Sequence, residues 1–136
     1  MPIFTVQLPG SQVPNTEAGT IQAPGNGKLE YFYEDSGAPA GVGSYTTFFM
    51  LHGYCYHSGI FQRLFPLAHQ SYSQSFPFRV IAINRRGYPP TTPFNPFELT
   101  VFESGSEEER VSLLLNEGRN YVLLLDGLIK ELGIPE

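Results

Sequence analysis

Thr46-Thr47-Phe48-Phe49-Met50-Leu51-His52-Gly53 and Arg79-Val80-Ile81-Ala82-Ile83-Asn84-Arg85-Arg86-Gly87 decide how this chain folds. Each begins with a short run, apolar almost throughout and rich in β-branched or aromatic residues, and closes in a polar turn containing glycine. A run of this kind does not alternate, so it suits a central strand covered on both faces. Between the two, Ile60, Phe61, Leu64, Phe65, Leu67 and Ala68 recur at helical spacing, with Pro66 interrupting the pattern. A short or kinked helix is expected there. Two strands joined by a helical crossover are predicted to be parallel, with a right-handed connection.

Residues 28–34 alternate, with Leu29, Tyr31 and Tyr33 on one side and Glu30, Phe32 and Glu34 on the other. That is the pattern of a half-buried antiparallel strand. Residues 35–44 read as a loop. Residues 1–27 are rich in Pro, Gly, Ser, Thr and Asn and read as an irregular N-terminal segment. Within it, residues 20–23 suit a short strand, and Asn26-Gly27 suits a tight hairpin because both tolerate positive φ. The remainder, residues 28–136, is the domain proper.

The strongest helix signal lies near the C-terminus. Ser106 and Glu109 have the spacing of a capping box. From Val111 the apolar residues fall at Leu114, Leu115, Tyr121, Val122, Leu125, Leu128, Ile129 and Leu132, a continuous stripe. Gly118 lies on it, where a missing side chain suggests close backbone approach to a sheet. Gly133 and Pro135 end the helix.

A chain of 136 residues makes one domain. Its hydrophobic fraction of 41% excludes a disordered polyampholyte. The net charge of −5 comes without a basic stripe, which argues against nucleic-acid binding. Glu107-Glu108-Glu109 sits where a helix begins and complements its dipole. One cysteine, Cys55, excludes an internal disulfide framework. No secretory leader and no apolar run of about 20 residues is present, so a cytoplasmic protein with no membrane association is expected. Gly37, Gly41 and Gly43 do not follow an apolar strand, so no phosphate loop and no cofactor is expected.

This order of elements resembles the N-terminal half of the α/β-hydrolase fold. The resemblance is carried by residues 29–37 (LEYFYEDSG), 48–53 (FFMLHG), 80–91 (VIAINRRGYPPT) and 120–135 (NYVLLLDGLIKELGIP). Family members commonly show a Tyr-x-x-x-Gly strand end and a strand closing in His-Gly. A further strand closes in Asp-x-Arg-Gly-x-Gly-x-Ser, and a helix ends in Leu-Gly-Ile. Asn84, Pro89 and Thr91 depart from the third motif, where Asp, Gly and Ser are usual. The implied fold is α/β, a partial hydrolase sheet with N-terminal antiparallel strands, then parallel strands with a crossover helix.

In the family the next strand and helix carry Gly-x-Ser-x-Gly, the nucleophile elbow, and the triad acid and histidine follow later. The chain stops before all three. The resemblance therefore implies a truncated derivative of a serine ester hydrolase, inactive as written, with no catalytic residue of its own. It also implies a vestigial oxyanion loop at His52, Gly53 and Tyr54, with the Tyr54 N–H as donor.

In the family's sheet order the His-Gly strand is central, so the absent strand leaves one of its edges open. Such an edge favours aggregation, self-association, or docking to a homologue as a non-catalytic interaction module. The aromatic loop at Tyr54 and Tyr56 is a further candidate, for small-molecule binding. Other candidates weigh less. Cys55 and His57 lie two residues apart in a loop and point opposite ways, so a partly buried cysteine beside a loop histidine is expected. His52, His57 and His69 match no compact metal pattern. Ser36, Ser44 and Ser58 lack the context of a nucleophile. Arg86 is expected to brace the turn after its strand.

Overall fold

A computed structural model describes residues 2–8 and 27–135. Four strands form one mixed sheet: β1 (Ile3–Gln7), β2 (Lys28–Asp35), β3 (Thr46–Leu51) and β4 (Phe78–Ile83), in the spatial order β1-β2-β4-β3. β1 runs antiparallel to β2, with Val6 opposite Leu29, and β2 antiparallel to β4, with Tyr33 opposite Ile83. β3 and β4 are parallel from Thr46 opposite Phe78 to Leu51 opposite Ile83. The fold is α/β, as the sequence indicates.

The period-two pattern of β2 is realised as read: Leu29, Tyr31 and Tyr33 are buried. β4 is buried from Arg79 to Ile83, as its continuous apolar run requires. The N-terminal segment differs from expectation, because Ile3–Gln7 is a strand and not irregular chain. Val6 enters the core, and the Leu8 N–H donates to the Gly27 carbonyl where the two strands close. The strand expected at residues 20–23 and the Asn26 half of the hairpin lie outside the described residues.

β3 also differs. Its burial is at best intermediate, not that of a strand covered on both faces, whereas its open edge among the described residues is the one expected. Its run is as apolar as β4's, but a central position needs a strand on each side, and among the described residues β3 has only β4.

The crossover from β3 to β4 is a 3₁₀ turn (Ser58–Leu64) followed by α1 (Phe65–Gln70). Pro66 occupies the first turn of α1, where its missing N–H costs nothing, so it starts a helix instead of kinking one. A second helix, α2 (Pro96–Ser104), was not expected from apolar spacing. Its signal is Asn95-Pro96-Phe97-Glu98: the Asn95 side chain accepts from the Glu98 N–H, and the Glu98 carboxylate accepts from the Asn95 N–H.

The long helix α3 (Glu107–Glu131) starts at the predicted capping box. The Ser106 hydroxyl accepts from the Glu109 N–H, and the Glu109 carboxylate from the Ser106 N–H. Its rotation about its own axis is another matter. The buried residues are Leu113, Glu117, Asn120, Leu124 and Leu128. Of the expected stripe, Leu128 is buried and Tyr121, Leu125 and Leu132 pack against the core, whereas Val111, Leu114, Leu115, Val122 and Ile129 are exposed. Gly118 faces open space; the close approach falls at Gly127, where a Cβ would overlap the ring of Phe4 on β1. Apolar residues cover more than half the circumference of α3, so periodicity alone could not select the buried face.

The core consists of Val6, Leu29, Tyr31, Tyr33, Ile81, Ile83, Leu124 and Leu128. Each large aliphatic there contributes about 1.5–3 kcal/mol by leaving water. It therefore forms between α3 and one face of β1, β2 and β4. The carboxyl ends of β3 and β4 lie at one end of the sheet, and the loops leaving them meet there.

Candidate functional site

Leu51 and Ile83 are register partners, so the residues that follow them, His52-Gly53 and Asn84-Arg85, emerge side by side. His52 is buried and joins the two turns. Its Nε2 accepts the Arg85 N–H at 3.0 Å, and its Nδ1 lies 2.9 Å from the Gly53 carbonyl. A backbone N–H can only donate, so Nε2 is the acceptor and the proton sits on Nδ1. The ring also stands edge-on to Tyr88, with centroids 4.5 Å apart. Burial, with lesser contributions from Arg85 and His57, holds the His52 pKa below its ordinary value, outweighing the Gly53 hydrogen bond.

Asn84 locks the second turn. Its Oδ1 accepts the Ser58 N–H at 2.8 Å, and its Nδ2 donates to the Pro89 carbonyl at 3.2 Å. An aspartate could accept but not donate, so asparagine satisfies both neighbours of this turn. Thr91 completes it: its hydroxyl donates to the Asn84 carbonyl and accepts the Phe32 N–H from β2. Asn84, Pro89 and Thr91 thus belong to an ordered turn.

Arg86 braces this turn, as expected, and its partners are two carboxylates that spacing did not reveal. Nε donates to the Thr92 carbonyl, one terminal nitrogen to Glu98 and Glu117 (2.8 and 2.6 Å), and the other to Glu98 and the Pro93 carbonyl (2.7 and 2.9 Å). All five guanidinium protons are engaged. The ring of Phe94 lies 4.5 Å from the guanidinium carbon. Burial disfavours the charge, but hydrogen bonds and charge from Glu98 and Glu117 outweigh it and raise the Arg86 pKa. Asn120 donates to the same Glu117 oxygen that meets Arg86. Nearby, the buried Tyr31 hydroxyl has no hydrogen-bond partner among the described residues, and burial beside Glu117 holds it protonated.

The loop at His52, Gly53 and Tyr54 is otherwise open. Tyr54 is 85% exposed, and among the described residues no acceptor meets its N–H. A tight turn follows, with the Tyr56 N–H donating to the Gly53 carbonyl. Cys55 is exposed rather than partly buried. His57 does not meet it; its Nδ1 accepts the Gly59 N–H and caps the 3₁₀ turn.

The other nominated residues are not brought together. His69 bonds to the Ser36 carbonyl, away from His52 and His57. No group of three or more His, Cys, Asp or Glu among the described residues is placed to hold a metal ion. The Ser36 hydroxyl accepts the Val80 N–H and donates to the Gly37 carbonyl. Ser58 is buried with an unpartnered hydroxyl, and Ser44 is exposed. No serine hydroxyl among them bonds to an imidazole, so no nucleophile–base pair is formed. At the far end of the sheet Arg79 makes a bidentate pair with Asp35 (2.9 and 2.6 Å), which fixes β2 against β4.

The chain matches no protein-family model, no curated protein and no solved structure.

Two outcomes test this construction. Arg86→Met leaves Glu98 and Glu117 buried without a counter-charge and is expected to cost about 3–5 kcal/mol in urea unfolding, against about 1 kcal/mol or less for an exposed charge such as Arg63. His52 is harder to protonate folded than unfolded. Its contribution is therefore fully present above the unfolded pKa near 6.5 and is lost as pH falls below that through the folded value. The urea midpoint should drop between pH 7.5 and 5.5, and His52→Gln should make that drop smaller. An identical pH dependence in the variant would remove His52 as its cause.

Proposed function

We propose that these 136 residues are the N-terminal part of an α/β-hydrolase domain derived from a serine ester hydrolase, and that they perform no catalysis themselves. The observation that carries this reading is the parallel pair of β3 and β4, with Leu51 opposite Ile83 and the His52-Gly53 loop tied to the Asn84-Arg85-Arg86-Gly87 turn. In open α/β sheets ligands bind outside the carboxyl ends of the strands, and this is the end where both turns lie. The Tyr54 N–H, held in a loop fixed by His52, suits the first donor of an oxyanion hole. The order β1-β2-β4-β3, with β3 at the edge, also agrees with a hydrolase sheet in which the His-Gly strand is central once a further strand is added.

The remaining parts of such a site are a serine on a sharp strand-to-helix turn, a second donor beside it, and a paired base. The sequence holds no Gly-x-Ser-x-Gly, and among the described residues no serine hydroxyl bonds to an imidazole; His69 meets only the Ser36 backbone carbonyl. The oxyanion loop is thus a vestige, or one half of a site. The exposed free Cys55 suits a reducing compartment, so the reading includes a cytoplasmic location.

Turnover of a small activated ester by this chain is expected to equal that of a heat-denatured control. Turnover blocked by a serine-directed phosphonate would refute the non-catalytic assignment. The ancestry is tested on the messenger RNA, where the sequence past the Glu136 codon should encode a strand, Gly-x-Ser-x-Gly and a helix, intact or interrupted. Unrelated sequence there counts against it.

A second reading, a non-catalytic module that docks onto a homologue, rests on the open edge of β3 and the exposure of Phe48 and Leu51 beside it. Size-exclusion chromatography with a full-length hydrolase relative should then show co-elution. Unchanged elution of both proteins argues against it.

A further inference from the structure

Beside the face that α3 turns to the sheet lies a second apolar face with a different rhythm. Val111, Leu115, Gly118, Val122, Leu125 and Ile129 recur by alternate steps of four and three, the seam of a left-handed coiled coil. Among the described residues this seam is largely uncovered, Leu125 alone also packing against the core: Leu115 is 60% and Val122 66% exposed, and none of the described residues stands within 4 Å of a Cβ built on Gly118. It runs about 27 Å along the helix at 1.5 Å per residue. One flank carries exposed Arg119 and, a heptad later, exposed Asp126, which already meets Lys130 at 2.7 Å.

We propose that this seam binds a second copy of the chain, α3 against α3, antiparallel about a two-fold axis near Val122. The charges select that arrangement. An antiparallel pair brings like flanks together, so Arg119 of each copy meets Asp126 of the other, twice by symmetry. The same register packs Val122 beside Leu125 of the second copy and seats Ile129 in the space left by Gly118. A parallel pair in register would set Gly118 against Gly118 and leave a void. It would also bring together two first turns that each carry Glu107, Glu108 and Glu109. The antiparallel pair separates those acidic ends and opposes the two helix dipoles. The proposal does not depend on the hydrolase reading.

Sedimentation velocity of the full chain, from about 5 to about 500 μM, should show a concentration-dependent monomer–dimer equilibrium. Val122→Lys, at an exposed position, should leave the circular dichroism spectrum unchanged and abolish the dimer. Arg119→Asp and Asp126→Arg should each weaken dimerisation about tenfold, and the double swap should restore it, less so in high salt. Phe48→Lys on β3 should leave the dimer intact. The proposal is overturned by a monomer across the whole range, by a dimer that survives Val122→Lys, by a double swap that does not rescue, or by loss of the dimer in Phe48→Lys alone.

Discussion

The guanidinium of Arg86 is the constraint on which the arrangement of this chain depends. A buried cation is costly unless every proton finds an acceptor and its charge is balanced. Here the acceptors come from three places: the carbonyls of Thr92 and Pro93, the Glu98 carboxylate on α2 and the Glu117 carboxylate on α3. The turn after β4, the short helix and the long helix are thereby fixed to one another. The same ion fixes the rotation of α3, because Glu117 must point inward to meet it, and Asn120 turns inward to donate to Glu117.

His52 plays the corresponding role at the neighbouring strand end, with neutral chemistry. A single imidazole accepts from one turn and donates within the other, so the two loops at the carboxyl ends of β3 and β4 hold a fixed relation. Asn84 and Thr91 extend that relation to the 3₁₀ turn and to β2. The polar residues at this end of the sheet satisfy backbone groups that no strand could pair, whereas the Tyr54 N–H meets no acceptor among the described residues.

Among the described residues, apolar side chains stand exposed at the free edge of β3 and along the outer seam of α3. Each invites cover. The edge offers main-chain hydrogen bonds and suits a strand; the seam offers interlocking side chains and suits a helix. They therefore call for different partners, and the charges at Arg119 and Asp126 give only the seam a means of choosing one.

Much of the architecture was legible in the chain, and the illegible parts share a cause. Local rules act within a few residues, so alternation at Leu29, Tyr31 and Tyr33, the capping box at Ser106 and the turn glycines could be read directly. The strand at Ile3–Gln7 was hidden because its five residues owe their conformation to pairing with β2. α2 announced itself by Asn95, Pro96 and Glu98, a signal of polar capping and not of apolar spacing. His52 and Gly53 were visible as a strand-end motif, but Glu98 and Glu117 were not, since nothing in sequence marks two glutamates so far apart as partners of one arginine. Sequence by itself determined β2, β4 and α3 and where they stopped, because alternation, continuous apolar runs and caps act locally. Tertiary structure alone decided that Ile3–Gln7 is a strand and which face of α3 is buried, because those outcomes turn on a neighbouring strand and a buried charge far along the chain.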